Sequence, residues 1–239
     1  KLVNFLQADC SPEEMATKIT LRENAYKSWR GQSLNELSYA DRWTKFLLPD
    51  YPQDFIRQNA EQLQAWWRES RGKHWITAET IHTLQELYDR GYILGSISHS
   101  SVRYLDDAGI RALFTVSIQA AEYGKRKPHP SPFLAAARGC GVSPAECAYV
   151  GDRPSRDVVG SREAGFGQVI LLKREGQLDE GIPCPMQADV VIHDLPEILD
   201  CFPNRNSLNP QKSAQPEAEI LYDAALSSLW WSKDRDSAN

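Results

Sequence analysis

This 239-residue sequence lacks the patterns that would indicate a membrane segment or a cross-link made by cysteines. Its five cysteines are scattered and form no C-x-x-C pair, which argues against a zinc site or a disulfide framework and favours a reducing cytoplasm. No apolar run approaches the roughly 20 residues that span a bilayer, and no signal peptide opens the chain. The net charge is -5 and no basic block is present, so nucleic acid is not an expected partner. We therefore expect a cytoplasmic globular protein that binds neither membranes nor nucleic acid.

Residues 1–76 are expected to form a helical domain. The stretch "SPEEMATKITLRENAYKSW" begins with a capping box made by Ser11 and Glu14. Ser33 and Glu36 predict the start of a second helix through "SLNELSYADRWTKFLL", and "QDFIRQNAEQLQAWWRES" predicts a third. Five tryptophans are expected to fill a small helical core, with a substrate-facing aromatic wall as the alternative: Trp29, Trp43, Trp66, Trp67 and Trp75.

After Thr77 short apolar strands alternate with helices. The strand candidates are "YILGSIS", "ALFTVSIQ", "CAYVGD", "GQVILL" and "ADVVIH", and stretches such as "TAETIHTLQELYDRG" separate them. This alternation predicts parallel βαβ units, so we expect a Rossmann-like three-layer α/β core over residues 77–203. Residues 204–239 form a polar tail, in which "ILYDAALSSLWW" predicts a short helix.

Polar side chains follow three of these strand candidates. Ser98 and His99 end "GSISHS", Lys127 precedes a proline in "GKRKPHPSPF", and Asp152 and Asp157 flank the turn in "YVGDRPSRDVVG". Ligands of parallel sheets bind at the carboxyl ends of the strands. A hydroxyl and an ammonium suit a phosphate group, and paired carboxylates suit a hard dication such as Mg²⁺. We therefore expect these groups to converge on one edge of the sheet.

Other residue types in the chain carry no comparable pattern. Cys140 and Cys147 are expected to be small apolar core residues. Four histidines lack the spacing of metal ligands, so no histidine metal site is expected: His74, His82, His129 and His193.

The three strand-end stretches resemble a known family. "ISHS", "RKPHPSPF" and "GDRPSRDVVGSREAG" are similar, in order and spacing, to the second, third and fourth motifs of the haloacid dehalogenase-like (HAD) hydrolases. The resemblance covers roughly residues 77–200, and residues 1–76 resemble the helical cap of that superfamily. It implies a Mg²⁺-dependent phosphohydrolase that acts on a small phosphorylated metabolite through an aspartyl-phosphate intermediate.

The resemblance also implies a role for each strand-end residue. Ser98 would bind an oxygen of the transferring phosphoryl group, helped by the backbone N–H of His99. Lys127 would neutralise the phosphoaspartate and the nucleophile. Asp152 would coordinate Mg²⁺, and Asp157 would hold the metal shell or pair with Lys127.

The first motif of the family is missing. That motif, D-x-D-x-T/V, supplies the nucleophile at the end of the first strand, and no D-x-D occurs between Lys1 and Leu84. Asp9 has neither an apolar strand before it nor an aspartate two positions later, so the nucleophile is unknown. Because the chain begins at Lys1, we expect an N-terminally truncated fragment whose first core strand is lost. The resemblance places that strand in the middle of the sheet. Its loss predicts marginal stability, or a gap filled by a homodimer or by the chain's own tail.

Three other functions can be compared with this sequence. A catalytically silent HAD-like protein that binds a phosphorylated ligand or a partner fits the missing motif. Dehalogenation uses the same nucleophile without a metal, and the paired Asp152 and Asp157 argue against it. A serine hydrolase built on Ser98 and His99 would need a G-x-S-x-G elbow, which does not surround the serine.

Overall fold

A computed structural model of the protein describes residues 1–70, 76–99, 102–173 and 185–205, together with the strand at 219–222. The chain divides into a first unit, Lys1–Lys73, and a second unit, His74–Asn239. Among the helices of the described ranges, none has the length and apolar character needed to cross a membrane.

The first unit is built from helices. Ser11 caps the longest of them, with its hydroxyl accepting from the backbone N–H of Glu14, as the sequence predicted. The predicted start at Ser33 is wrong, because Leu34 adopts a left-handed conformation and helix resumes only after Ser38. Glu36 instead accepts a hydrogen bond from the buried Tyr26 hydroxyl, so it cannot complete a capping box. The helices are α1 (Leu2–Leu6), α2 (Pro12–Ser33), α3 (Tyr39–Arg42), α4 (Gln53–Gln58) and α5 (Ala60–Ser70), with a π-helical turn at Trp43–Leu47.

The tryptophans of the first unit contribute to its core. Trp43 is fully buried, and its indole N–H donates to Gln64 at 3.3 Å. Trp66 and Trp67 are partly buried and pack against the same apolar cluster. This packing supports the expectation of a helical core for these three residues. Trp75 lies outside the described residues.

The second unit contains a parallel sheet of six described strands. They lie in the order β2-β1-β6-β3-β4-β5, and every neighbouring pair is parallel. The strands are β1 (Ile93–Ser98), β2 (Phe114–Gln119), β3 (Cys147–Gly151), β4 (Gln168–Leu172), β5 (Val190–Ile192) and β6 (Glu219–Tyr222). The helices are α6 (Ala78–Asp89), α7 (Arg103–Asp107), α8 (Ala120–Tyr123), α9 (Ser131–Cys140), α10 (Val159–Glu163) and α11 (Ile198–Cys201).

Helices cover both faces of this sheet. Successive side chains of a strand point to opposite faces, so neighbouring residues of one strand pack against different helices. In β3, Ala148 and Val150 join the apolar cluster that contains Leu84 and Leu87 of α6. Tyr149, between them, joins the cluster on the other face, which contains residues of α9. The result is the three-layer parallel α/β architecture that the sequence predicted.

The tail strand β6 lies in the centre of the sheet. Its residues pair with Ile93–Ser96 of β1 on one side and with Cys147–Val150 of β3 on the other. Residues 220–222 form this strand and not the start of the helix that the sequence predicted for "ILYDAALSSLWW", because two neighbouring strands satisfy their backbone groups. The rest of that stretch lies outside the described residues. The chain's own tail thus fills the central gap, which is one of the outcomes expected from the missing first strand. Among the described strands, β6 is the only link between β1 and β3.

Candidate active site

The predicted polar residues meet at the carboxyl edge of the sheet. Ser98 is the last residue of β1, and Asp152 directly follows β3. Only β6 separates these two strands, so two strand spacings of about 4.8 Å put their ends roughly 10 Å apart. Both side chains are buried. The edge is therefore compact enough for a single site.

Lys127 is held within this edge by a buried ion pair. Its Nζ lies 2.7 Å from Oδ1 of Asp157 and 3.1 Å from the hydroxyl of Tyr149. The Tyr149 hydroxyl donates to the same Asp157 oxygen at 3.2 Å. The two charged side chains are only 4% and 3% exposed. A buried ion pair is stable only where further hydrogen bonds satisfy the remaining polar atoms of its two side chains.

Asp157 occupies a position that the local chain prepares. It lies in a π-helical turn, Pro154–Val158, that follows the β3 loop, and its Oδ2 accepts from the backbone N–H of Arg153 at 2.8 Å. Gly151 permits this approach, because a Cβ there would come within 2.2 Å of the Asp157 Cβ. Both carboxylate oxygens of Asp157 thus have protein partners, which favours the lysine-pairing role among the two that the resemblance implied.

Burial sets the protonation behaviour of this cluster. It lowers the pKa of Lys127, and the neighbouring carboxylates of Asp157 and Asp152 partly offset that effect. Burial and the Asp157 charge both raise the pKa of Tyr149 well above its ordinary value. Tyr149 is therefore a protonated hydrogen-bond donor at neutral pH, consistent with its bond to Asp157.

The ring of His99 ties the end of β1 to the lysine loop. Its Nε2 lies 2.9 Å from the backbone nitrogen of Lys127, which donates to it, and its Nδ1 lies 3.3 Å from Nη2 of Arg126. The ring of His99 is therefore used for positioning. Because Ser98 precedes His99, this contact fixes Lys127 relative to the serine.

Asp152 is the described carboxylate best suited to a metal ion. Its side chain is buried, and its charge acts on both Lys127 and Tyr149. The described part of the chain holds no group of three or more acidic, histidine or cysteine side chains arranged around one metal position. Mg²⁺ commonly uses one or two carboxylates and completes its octahedral shell with waters and substrate oxygens. The residues present are compatible with such a partial site, in which Asp152 is the candidate protein ligand.

Three side chains at this edge were not singled out from the sequence. Tyr149 looks like an ordinary apolar residue of "CAYVGD", and Arg126 like one of several loop cations. Tyr104 lies on α7, and its hydroxyl is buried near Ser98. A sequence signal existed for Tyr149, since a residue two positions before a strand end points to the same face of the sheet as the strand terminus.

Known proteins resemble parts of this chain. The glyceraldehyde 3-phosphate phosphatase of Methanopyrus kandleri is 36% identical over 103 residues, which cover 41% of this chain and 44% of that protein. A phosphoglycolate phosphatase of Xanthomonas campestris is 33% identical over 121 residues, which cover 49% of this chain and 54% of that protein. The chain thus spans about half the length of these curated relatives.

One solved structure and one family model match a larger part of the chain than these two relatives do. A 2-haloacid dehalogenase from Pseudomonas syringae superposes with a TM-score of 0.60 at 23% identity, covering 80% of each chain, a likeness that shows the fold. The model of the family described as haloacid dehalogenase-like hydrolase matches residues 18–165. Because that match spans more than half of the 239 residues, the chain belongs to the haloacid dehalogenase-like hydrolases.

Proposed function

We propose that this chain takes part in the Mg²⁺-dependent hydrolysis of a small phosphorylated metabolite. The observation that carries the proposal is the buried Lys127–Asp157 pair, joined through His99 to the strand end that bears Ser98. An ammonium, a hydroxyl and a backbone N–H form a donor set that matches phosphoryl oxygens. The relatives named as phosphatases of glyceraldehyde 3-phosphate and phosphoglycolate support the same substrate class.

Each residue has a stated task in the proposed reaction. A carboxylate oxygen attacks phosphorus, the bond from phosphorus to the leaving oxygen breaks, and that oxygen takes a proton from water to become the alcohol. A water molecule then attacks the aspartyl phosphate, which releases inorganic phosphate and restores the carboxylate. Ser98 and the His99 backbone N–H hold oxygens of the phosphoryl group. Lys127 neutralises the negative charge that the carboxylate and the phosphate bring together, and Asp157 keeps that lysine in place.

Asp152 is the residue proposed to hold Mg²⁺. The ion would supply positive charge beside the phosphoryl oxygens. Asp157 is proposed as an outer member of this shell, because its oxygens already accept from Lys127 and from the Arg153 backbone. The helical unit, Lys1–Lys73, is proposed as the cap that selects the substrate.

A catalytically silent HAD-like protein is the second candidate. The observation that favours it is the lack of a D-x-D motif between Lys1 and Leu84. The same edge would then bind a phosphorylated ligand without turnover. Dehalogenation is not proposed, because it uses the same nucleophile without a metal, and the paired Asp152 and Asp157 suit a reaction that uses one.

Phosphate release separates these candidates. We expect the 239-residue chain to bind Mg²⁺ weakly through Asp152 and to release no phosphate from p-nitrophenyl phosphate. A version extended upstream by a strand that ends in D-x-D-x-T is expected to displace β6 from the centre of the sheet and to hydrolyse the substrate until EDTA is added. In that version Asp152→Asn is expected to weaken Mg²⁺ binding, whereas Lys127→Ala is expected to lower turnover more than Mg²⁺ binding.

The exposed Asp189→Asn serves as the matched carboxylate control and is expected to change neither quantity. An extended chain that stays inert would favour the silent binding protein. Metal-dependent turnover by the original chain would mean that its nucleophile lies elsewhere in the sequence. Asp223 follows β6 in the sequence and lies outside the described residues, and Asp223→Asn would test it directly.

A further inference from the structure

The hydroxyl of Tyr104 is a buried polar group that has no hydrogen-bond partner among the described residues. Three buried side-chain polar atoms in the described part of the chain lack a hydrogen bond, namely Nε of Arg42, the hydroxyl of Tyr104 and Oγ of Ser131. Tyr104 lies in the neighbourhood of Ser98. Nearly all buried polar groups in native proteins are paired, so an unpaired one calls for an explanation.

The Tyr104 hydroxyl interacts with one residue from each of two strands that end at the candidate site, Ser98 of β1 and Tyr149 of β3. Burial raises the pKa of the Tyr104 phenol, and the nearby Ser98 hydroxyl acts in the opposite direction, although the two hydroxyls do not meet the geometry of a hydrogen bond. Tyr104 also lies close enough to Tyr149 for the two phenols to interact electrostatically, and the Tyr149 hydroxyl contacts Lys127 and Asp157. The hydroxyl therefore lies among the groups that carry the proposed phosphate chemistry.

The start of α7 explains how Tyr104 is held there. The backbone N–H of Val102, which precedes this helix, donates to the Gln119 side chain at the end of β2 at 3.1 Å. The ring of Tyr104 packs against the apolar cluster that contains Leu105 and Leu94. Packing thus fixes the ring, while its hydroxyl gains no bond from the described residues.

The protonation state of Tyr104 suits a hydrogen-bond donor. Burial raises its pKa to about 12, because the ionised phenolate is poorly solvated there. The phenol therefore keeps its proton throughout the neutral range. Its O–H is available to donate to an anionic oxygen at any pH at which a phosphatase assay is run.

We propose that Tyr104 is a ligand-binding residue of this site, and that its hydroxyl donates a hydrogen bond to an oxygen of the phosphoryl group held beside Ser98. This inference rests on the proposed function, since it assumes that phosphate is the ligand. It adds a contact from α7 to the set provided by the strand ends. A hydroxyl kept for a ligand accounts for a tyrosine whose own surroundings leave it unpaired.

Tyr104→Phe tests the inference in the full chain, with inorganic phosphate as the probe. Losing a hydrogen bond to a charged ligand should weaken phosphate binding about tenfold or more in titration calorimetry. Without phosphate, the melting temperature of Tyr104→Phe should equal or exceed that of the wild type, because no protein group loses a partner. Tyr88→Phe, on the exposed face of α6, is the matched control and should change neither quantity.

Each other outcome overturns the inference. Equal phosphate affinity in Tyr104→Phe and wild type would exclude the contact while leaving the proposed function in place. A lowered melting temperature without phosphate would show that the hydroxyl has a structural role. A further outcome is that the wild type binds no phosphate in calorimetry, with Ser98→Ala giving the same titration curve. In that case the proposed function fails, and the inference fails with it.

Discussion

Leu221→Pro should destabilise the second unit strongly. Leu221 lies in the middle of β6, paired with Gly95 of β1 and Tyr149 of β3. Proline lacks the backbone N–H that a central strand must donate, and its ring does not fit a sheet interior. The lost bond and the acceptor left unpaired should together cost about 2–3 kcal/mol. For a chain of this size that is roughly 5–10 °C in melting temperature.

The sheet topology makes this loss cooperative. Without β6, the pair β2-β1 and the group β3-β4-β5 have no hydrogen bonds joining them within the described residues. Hydrogen exchange should therefore accelerate at the amides of Gly95 and Ser96 in β1 and of Ala148 and Val150 in β3. An unchanged melting temperature and unchanged exchange would mean that β6 does not hold the two halves together.

Leu221→Ile is the control for this experiment. It keeps the backbone N–H and the composition of the side chain, so the melting temperature should stay close to that of the wild type. A synthetic peptide covering residues 216–226, added to the full-length Leu221→Pro protein, should restore part of the lost stability. Rescue by the peptide would show that the central position accepts an added strand.

Asp157→Asn should give the second large effect. The substitution keeps the shape of the side chain but removes the charge that faces Lys127 at 2.7 Å. Breaking a buried ion pair by neutralising one partner typically costs about 3–5 kcal/mol, because the remaining charge is left uncompensated. Urea unfolding should show this loss. The pKa of Lys127, already lowered by burial, should fall further.

An exposed ion pair in the same unit provides the comparison. Nη2 of Arg162 lies 2.5 Å from Oδ1 of Asp189, and the two side chains are 25% and 41% exposed. Asp189→Asn should cost no more than about 1 kcal/mol, since water screens such a pair. Similar losses of unfolding free energy in Asp157→Asn and Asp189→Asn would mean that water reaches the Lys127 site far more than its burial indicates. Combining Asp157→Leu with Lys127→Met should recover stability relative to Asp157→Asn.

Short-range patterns determined much of this protein from the sequence. The alternation of apolar strands with helices after Thr77 predicted the parallel sheet, because strand and helix periodicities depend on neighbouring residues alone. The strand ends then identified Ser98 and Asp152, since parallel strands bring their carboxyl ends to one edge. Ser11 and Glu14 likewise marked a helix start, because a capping box lies within four residues.

Only the tertiary structure decided the features that depend on distant parts of the chain. The stretch that became β6 predicted a helix by its local pattern, and it is a strand because β1 and β3 leave a central position that its backbone fills. Glu36 left its predicted helix cap for the hydroxyl of Tyr26. Packing between elements far apart in sequence set the positions of the Tyr149 and Tyr104 rings. Such pairings carry no local period, because the partners that stabilise them meet only after the chain has folded.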